Sequence, residues 1–572
     1  MRPPCMVVRF SQIPYPVLSQ PEVPMHVTGT DERGHATPPR GGAHRAKRSA
    51  QPERKVQSLR VGAGAQVLPL AVSYGINLLA TPFVVSQLGL RDFGVWAMTG
   101  AIAQYATLLD LGAARAANRF VALFHARGDA ERERTVVGIC VAVAVGLGAV
   151  LTAVALLTVG PAEHVLRTGD QNLVRTLLLC STAILTCGLL ARVLAGASFG
   201  RGRQLPPNIG LAVLGVTQVL GGVIALIVSP SLYHYAIGAV IGAAVGLCAV
   251  VLIIVVDEGG LTIGRPRRAL AREVIAFGVH SQLAGATDVV LFQSGKLIAG
   301  VVLGPAAAGA YDLGIRLIQG VQAFGGAVAV AINTHLTRIY ATDGMAGIRS
   351  QYDRLSRTCA AVVMFPPLLL AATAFSAVPL WLDGGHGEVL AVAGMLAVGI
   401  AVNVATAVTS AIMYAIGRPG LIGLWGAGYA GSSVAVAIPL TMAFGFTGLV
   451  TAYACWIPLG NVLGVWFLQS RVDIPMRSFF RATLGPFAVG LVAVAIALPI
   501  GVLTAPADRA DAVLPFLASA VVFCLVYLGA SPWFGYLPTG RLRALLRRGT
   551  PRAGTDDAAN GAAREEVLDA AR

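Results

Sequence analysis

From about residue 61 to 530 the chain is an almost unbroken succession of apolar runs, each roughly 20 residues or longer. A run of that length is what a helix needs to cross the roughly 30 Å hydrocarbon core of a bilayer. In that medium only a helix or a closed barrel can satisfy its own backbone. The runs lie at about 61–86, 93–118, 136–160, 173–198, 209–229, 235–256, 273–300, 306–334, 358–381, 388–416, 420–443, 447–469, 482–504 and 511–530. The expectation is an all-α polytopic membrane protein with about fourteen transmembrane helices. Composition agrees. Only 12% of residues are charged, about half the roughly 25% of soluble domains, and the mean hydropathy is +0.71.

A net charge of +15 would ordinarily raise the question of nucleic acid. Here the arginines lie in short loops between apolar runs, so nucleic-acid binding is set aside. Basic residues follow the second run (Arg119, Arg127, Arg132, Arg134), the fourth (Arg201, Arg203) and the sixth (Arg265, Arg267, Arg268, Arg272). They recur after the eighth (Arg338, Arg349, Arg354, Arg357), the tenth (Arg418) and the twelfth (Arg471, Arg477, Arg481). The alternate loops hold isolated cations such as Arg91, Arg167 and Arg509. Every even-numbered exit is basic, which puts both termini in the cytoplasm.

A duplication underlies the pattern. Residues 88–118 and 303–333 align without a gap at an offset of 215: Gly89 with Gly304, Gly94 with Gly309, Trp96 with Tyr311, Gln104 with Gln319 and Asn118 with Asn333. Six runs per unit is an even number, so the two units enter the membrane in the same direction, as parallel repeats. The expected organisation is a basic N-terminus at 1–58, an N-lobe of helices one to six at 59–256 and a C-lobe of helices seven to twelve at 257–470. A two-helix hairpin at 471–532 and a cytoplasmic tail at 533–572 complete it.

Ionisable groups at membrane depth are costly, so each is a candidate functional residue. Lys296 is the only lysine after Lys55. On the seventh helix Ser281, Gln282, Asp288, Gln293 and Lys296 share an arc of about 140°, with Asp288 two turns from Lys296. On the eighth, Asp312, Arg316 and Gln319 lie within about 60°, and Asp312 and Arg316 have the favourable i,i+4 spacing. That pair is either self-neutralising or a substrate-binding group. With Gln104 and Asn77 these residues make the candidate central cavity; Asp110, Arg115 and Arg192 are candidates for a cytoplasmic vestibule. No HExxH, GxSxG or P-loop sequence is present. The eight cysteines include no CxxC pair. Neither a metal, a cofactor nor enzyme chemistry is expected.

The stretch LGLRDFGVWAMTGAIAQYATLLDLGAARAANRFVA carries an LG-x-x-x-(F/Y)-G-x-(W/Y) turn and an LDLG before a basic exit. With the duplicated six-helix plan it resembles the polysaccharide-transport flippases of the multidrug/oligosaccharidyl-lipid/polysaccharide exporter superfamily, over about 61–530. The resemblance implies a bacterial cytoplasmic-membrane protein that moves a polyprenyl-diphosphate-linked oligosaccharide outward by alternating access, for cell-surface polysaccharide biosynthesis. Its partners would be that lipid-linked substrate, membrane lipids and, if transport is ion-coupled, H⁺ or Na⁺. A cation-coupled drug or metabolite exporter and a peptidoglycan-precursor flippase use the same scaffold. A membrane glycan ligase or polymerase would need a large outer loop, which this sequence lacks.

Overall fold

The computed structural model describes residues 59–109, 112–260, 263–384 and 386–530. Asp110, the N-terminal segment 1–58 and the tail at 533–572 lie outside the described residues. Fifteen α-helices are present among the described residues and no strand. They are α1 (Leu59–Ala106), α2 (Ala113–Ala126), α3 (Ala130–Leu157), α4 (Val159–Leu166), α5 (Gln171–Gly200), α6 (Leu205–Val228), α7 (Leu232–Glu258) and α8 (Arg268–Ile298). There follow α9 (Pro305–Val363), α10 (Phe365–Leu382), α11 (Gly387–Ala405), α12 (Ala407–Ala415), α13 (Gly420–Gln469), α14 (Met476–Thr504) and α15 (Arg509–Ala530).

Ten helical stretches among the described residues are long and apolar enough to cross a membrane. The sequence suggests more spans because the longest helices are broken internally. Gly89 (φ 77°), Gly344 (φ 62°) and Gly445 (φ 62°) leave helical geometry inside α1, α9 and α13. A positive φ is open to glycine at little cost, so each glycine lets the chain reverse or bend between two helical segments. Elsewhere short polar residues start helices in the usual way. Asp129 accepts from the Arg132 amide, Asp170 from Asn172 and Leu173, and Ser231 from His234.

Close packing rests on small residues, since apolar side chains gain little by leaving lipid for one another. The pair α6 and α7 shows this best. A Cβ on Gly242 would lie 2.1 Å from the Thr217 carbonyl oxygen, and one on Gly238 2.3 Å from that of Gly221. Helices α2, α3 and α5 enclose a second core around Phe120, Val136, Ile139 and Leu189. At one end of that group Arg201 joins Glu133 (2.6 Å) and Glu258, while Ser198 donates to Glu258 at 2.6 Å. Helices α14 and α15 pack on α10, where Phe523 and Tyr527 stack and Phe365 meets Tyr527 edge-on.

Two seams position the candidate site. Helix α1 runs against α9 from its Gly89 break inward. A Cβ on Gly94 would meet the Pro305 carbonyl oxygen at 1.7 Å, and one on Gly309 would meet that of Leu90 at 2.6 Å. At the same end Arg167 donates to the Val301 carbonyl (2.8 Å) and Trp381 to that of Leu78 (2.7 Å). The seam continues to Tyr74, whose ring lies against Gly320. One turn further along the same face of α9, Phe324 is 45% exposed. The second seam lies at the other end of the bundle, where Phe120 meets Phe277 edge-on and Gly264 donates to the Arg134 carbonyl at 2.8 Å.

Candidate functional site

The inner part of the α1–α9 seam holds a buried charge triad. The Lys296 ammonium on α8 lies 2.5 Å from Asp312 Oδ1 on α9, and Arg316 Nε donates to Asp312 Oδ2 at 2.9 Å. Lys296 and Asp312 are 8% and 3% exposed. One carboxylate therefore takes two cations, one on each oxygen. The geometry follows from the hairpin: α8 and α9 run antiparallel about Gly304, and residues 296 and 312 each stand eight positions from it. Antiparallel helices bring positions equidistant from their turn side by side.

Arg316 also reaches across the seam. Its Nη1 donates to Asn77 Oδ1 (2.7 Å) and Thr81 Oγ1 (3.2 Å) on α1, and its guanidinium carbon lies 5.2 Å from the Phe93 ring centroid. The Tyr74 hydroxyl donates to the Arg316 backbone carbonyl. Thr81 in turn donates to the Asn77 carbonyl at 2.7 Å, which orients it. Helix α1 thus supplies neutral acceptors and an aromatic face, while α8 and α9 supply the charges.

Four of the eight central candidates, Lys296, Asp312, Arg316 and Asn77, come together here. Gln293 is half-buried one turn before Lys296, with its Oε1 buried and without a hydrogen-bond partner among the described residues. Gln319 is half-buried one turn beyond Arg316, and Gln104 is exposed on α1. The Asp288 side chain lies outside the described residues. The sequence put Lys296 and Asp288 on one stripe but two turns apart; the described partner of Lys296 is Asp312 on the next helix, because the hairpin brings that carboxylate within contact. Arg115 and Arg192 are exposed on the neighbouring helices α2 and α5, and Arg192 borders a small cleft with Ala113, Ala114 and Leu189.

Sequence reasoning missed Thr81, Tyr74 and Phe93. Two of them carried a signal: Thr81 its register with Lys296 at the 215-residue offset, and Phe93 its place as the aromatic residue of the LG-x-x-x-(F/Y)-G-x-(W/Y) turn. Behind Lys296, the Ser294 and Tyr453 hydroxyls are 2.6 Å apart, and Tyr453 lies edge-tilted to Tyr311. Among the described residues no group of three or more His, Cys, Asp or Glu side chains could hold a metal ion.

The fold and this site define a polytopic, all-helical membrane protein. Among solved structures, one described as the inward-facing conformation of a multidrug resistance MATE family transporter of the MOP superfamily superposes with a TM-score of 0.58. It is 14% identical, over 72% of this chain and 98% of that one. A MATE protein in complex with MaD3S gives 0.53 at 14% identity, over 72% and 94%. A MOP superfamily transporter from Pyrococcus furiosus, described as having a reversed polarity of its binding pocket, gives 0.52 at 14%, over 72% and 95%. Identities this low speak for the fold. In the sequence, residues 62–332 match the model for polysaccharide biosynthesis proteins. No curated protein matches the chain.

Proposed function

We propose that this protein is a flippase that carries a polyprenyl-diphosphate-linked oligosaccharide across the bacterial cytoplasmic membrane by alternating access, for cell-surface polysaccharide biosynthesis. The observation that carries the reading is the triad: Lys296, Asp312 and Arg316 sum to one positive charge, held within a membrane-spanning bundle. An isolated cation there is expensive, and an anionic group that met it would offset both desolvation costs. A diphosphate is such a group, and Arg316 has the planar donor set that suits it. The polysaccharide biosynthesis family match supports a glycan cargo.

In this reading 59–256 and 257–470 are two six-helix lobes, with 471–532 appended. By the pattern of basic loops the Gly304 end faces outside and both termini lie in the cytoplasm. The α1–α9 seam is then closed on the outside by Gly94, Gly309 and Arg316, while at the cytoplasmic end the lobes meet where Phe120 packs on Phe277. Cargo entering from the cytoplasm would compete with Asn77 and Thr81 for Arg316 and so loosen the outer closure.

The test is reconstitution of the purified full chain into liposomes with a fluorescent polyprenyl-diphosphate oligosaccharide, read by quenching of the outer leaflet. Transfer above that of empty liposomes, lost in Lys296→Ala, is the expected result. Absence of transfer together with Na⁺- or H⁺-driven export of a cationic drug would replace this reading with that of a cation-coupled exporter.

A further inference from the structure

Between the two arms of α13 lies a slot of about 340 Å³, lined by Leu424, Trp425, Tyr429, Trp456, Gly428 and Phe467 among others. Its size lies at the low end of ligand pockets, roughly 300–1,000 Å³. Two glycines shape it. A Cβ on Gly460 would meet the Tyr429 ring at 2.2 Å, and one on Gly464 the Trp425 indole nitrogen at 2.6 Å. The aromatic rings therefore lie flat on the returning arm, and Trp425 is fixed by a 3.2 Å bond to the Gly460 carbonyl. On the side away from the protein, Leu424 and Leu463 are 64% and 41% exposed, and a Cβ on Gly428 would meet nothing within 4 Å. The slot is apolar, preformed and open to the membrane.

Its mouth is basic. Both ends of α13, Gly420 and Gln469, lie on the same side, flanked by Arg418 and Arg471. The Arg471 guanidinium carbon sits 5.0 Å over the centroid of Phe467, which stacks on Trp425 at 5.5 Å. A cation is thus held at the rim of an apolar slot, at the end that the positive-inside pattern assigns to the cytoplasm.

From these features we infer that the slot binds one anionic phospholipid of the cytoplasmic leaflet, an acyl chain between Trp425 and Trp456 and the phosphate at Arg471. The dimensions favour this occupant. From Leu424 to Ser432 the slot spans roughly 12 Å of helix rise, close to the roughly 15 Å that is half of a bilayer's hydrocarbon core. One acyl chain fills that depth, whereas a polyprenyl chain is several times longer. Basic niches beside transmembrane helices on the cytoplasmic face are where anionic headgroups collect. The site stands apart from the triad and holds whatever the cargo proves to be.

The experiment is native mass spectrometry of the detergent-solubilised full chain, titrated with phosphatidylglycerol, phosphatidylcholine or undecaprenyl phosphate at equal concentration. The wild type should retain one phosphatidylglycerol in preference to the others. Gly428→Leu, which fills the slot where no atom stands in its way, should abolish that adduct at an unchanged melting temperature. Arg471→Gln should weaken it by about fivefold and erase the preference over phosphatidylcholine. Equal phosphatidylglycerol binding by the wild type and Gly428→Leu overturns the slot. Equal binding by the wild type and Arg471→Gln overturns the phosphate site. Preference for undecaprenyl phosphate that is lost in Gly428→Leu overturns the phospholipid as occupant.

Discussion

Asp312 accepts Lys296 on one carboxylate oxygen at 2.5 Å and Arg316 on the other at 2.9 Å, so a single acid links α8 to the face of α9 that meets α1. The three residues are therefore not interchangeable. Removing a cation leaves a neutral pair; removing the acid leaves two cations side by side.

The first expectation follows from that asymmetry. Lys296→Ala should leave Asp312 and Arg316 paired, with membrane abundance near that of the wild type, and should abolish glycan export in a null strain. Lys296→Arg should restore part of it. Full export by the Ala variant at native expression would remove Lys296 from the site.

Asp312→Asn should be the least stable of the three single variants. It leaves buried Lys296 and half-buried Arg316 without their counter-ion, against a cost of at most about 2.5–3.5 kcal/mol each at a helix centre. Adding Arg316→Gln should recover only part of the loss, because Lys296 still has no counter-ion; adding Lys296→Gln as well should recover most of it. Thermal melting of the series in detergent reads this order directly. Full recovery in the Asp312→Asn, Arg316→Gln double variant would show that Lys296 does not depend on Asp312.

Gly94 tests the closure of the seam. A branched side chain there would overlap the Pro305 carbonyl, so Gly94→Val should push α1 from α9 and destabilise the closed arrangement by about 1–3 kcal/mol. Labelling of a cysteine at Thr81 by an impermeant outer reagent should rise in that background. Unchanged labelling would mean that the seam closes without this contact.

The cluster around Arg201 gives a structural counterpart. Arg201→Gln leaves Glu133 and Glu258, whose side chains are 11% and 8% exposed, without their shared cation. Removing one partner of a buried pair costs roughly 3–5 kcal/mol. A drop in melting temperature with export retained per folded molecule is expected; export lost at normal stability would assign Arg201 a functional role instead.

Reporter fusions address the threading. Fusions after Arg134, Arg268 and Arg357 should report cytoplasm, and those near Arg167 and Gly385 the outside. Agreement between the Arg134 and Arg167 fusions would refute the alternation.

Much of this molecule is legible in its amino-acid sequence. Apolar length dictates helices, because a bilayer leaves the backbone no other way to satisfy itself. The same counting of residues picks out Lys296, Asp312, Arg316 and Asn77, since charge and amide groups within apolar runs are conspicuous. The 88–118 motif points to the family that residues 62–332 match. What a linear reading does not supply is partnership. Helical periodicity ranks residues within one helix, so it pairs Arg316 with Asp312 but offers Lys296 only Asp288, two turns away. Contacts between helices depend on which helices adjoin and on where each hairpin turns. The turn at Gly304 joins Lys296 to Asp312, and the close approach allowed by Gly94 and Gly309 brings Asn77, Thr81 and Phe93 to Arg316. Thr81 shows in the sequence only as the register partner of Lys296 and Phe93 only as a motif aromatic; the packing of α1 on α9 is what makes them part of the site.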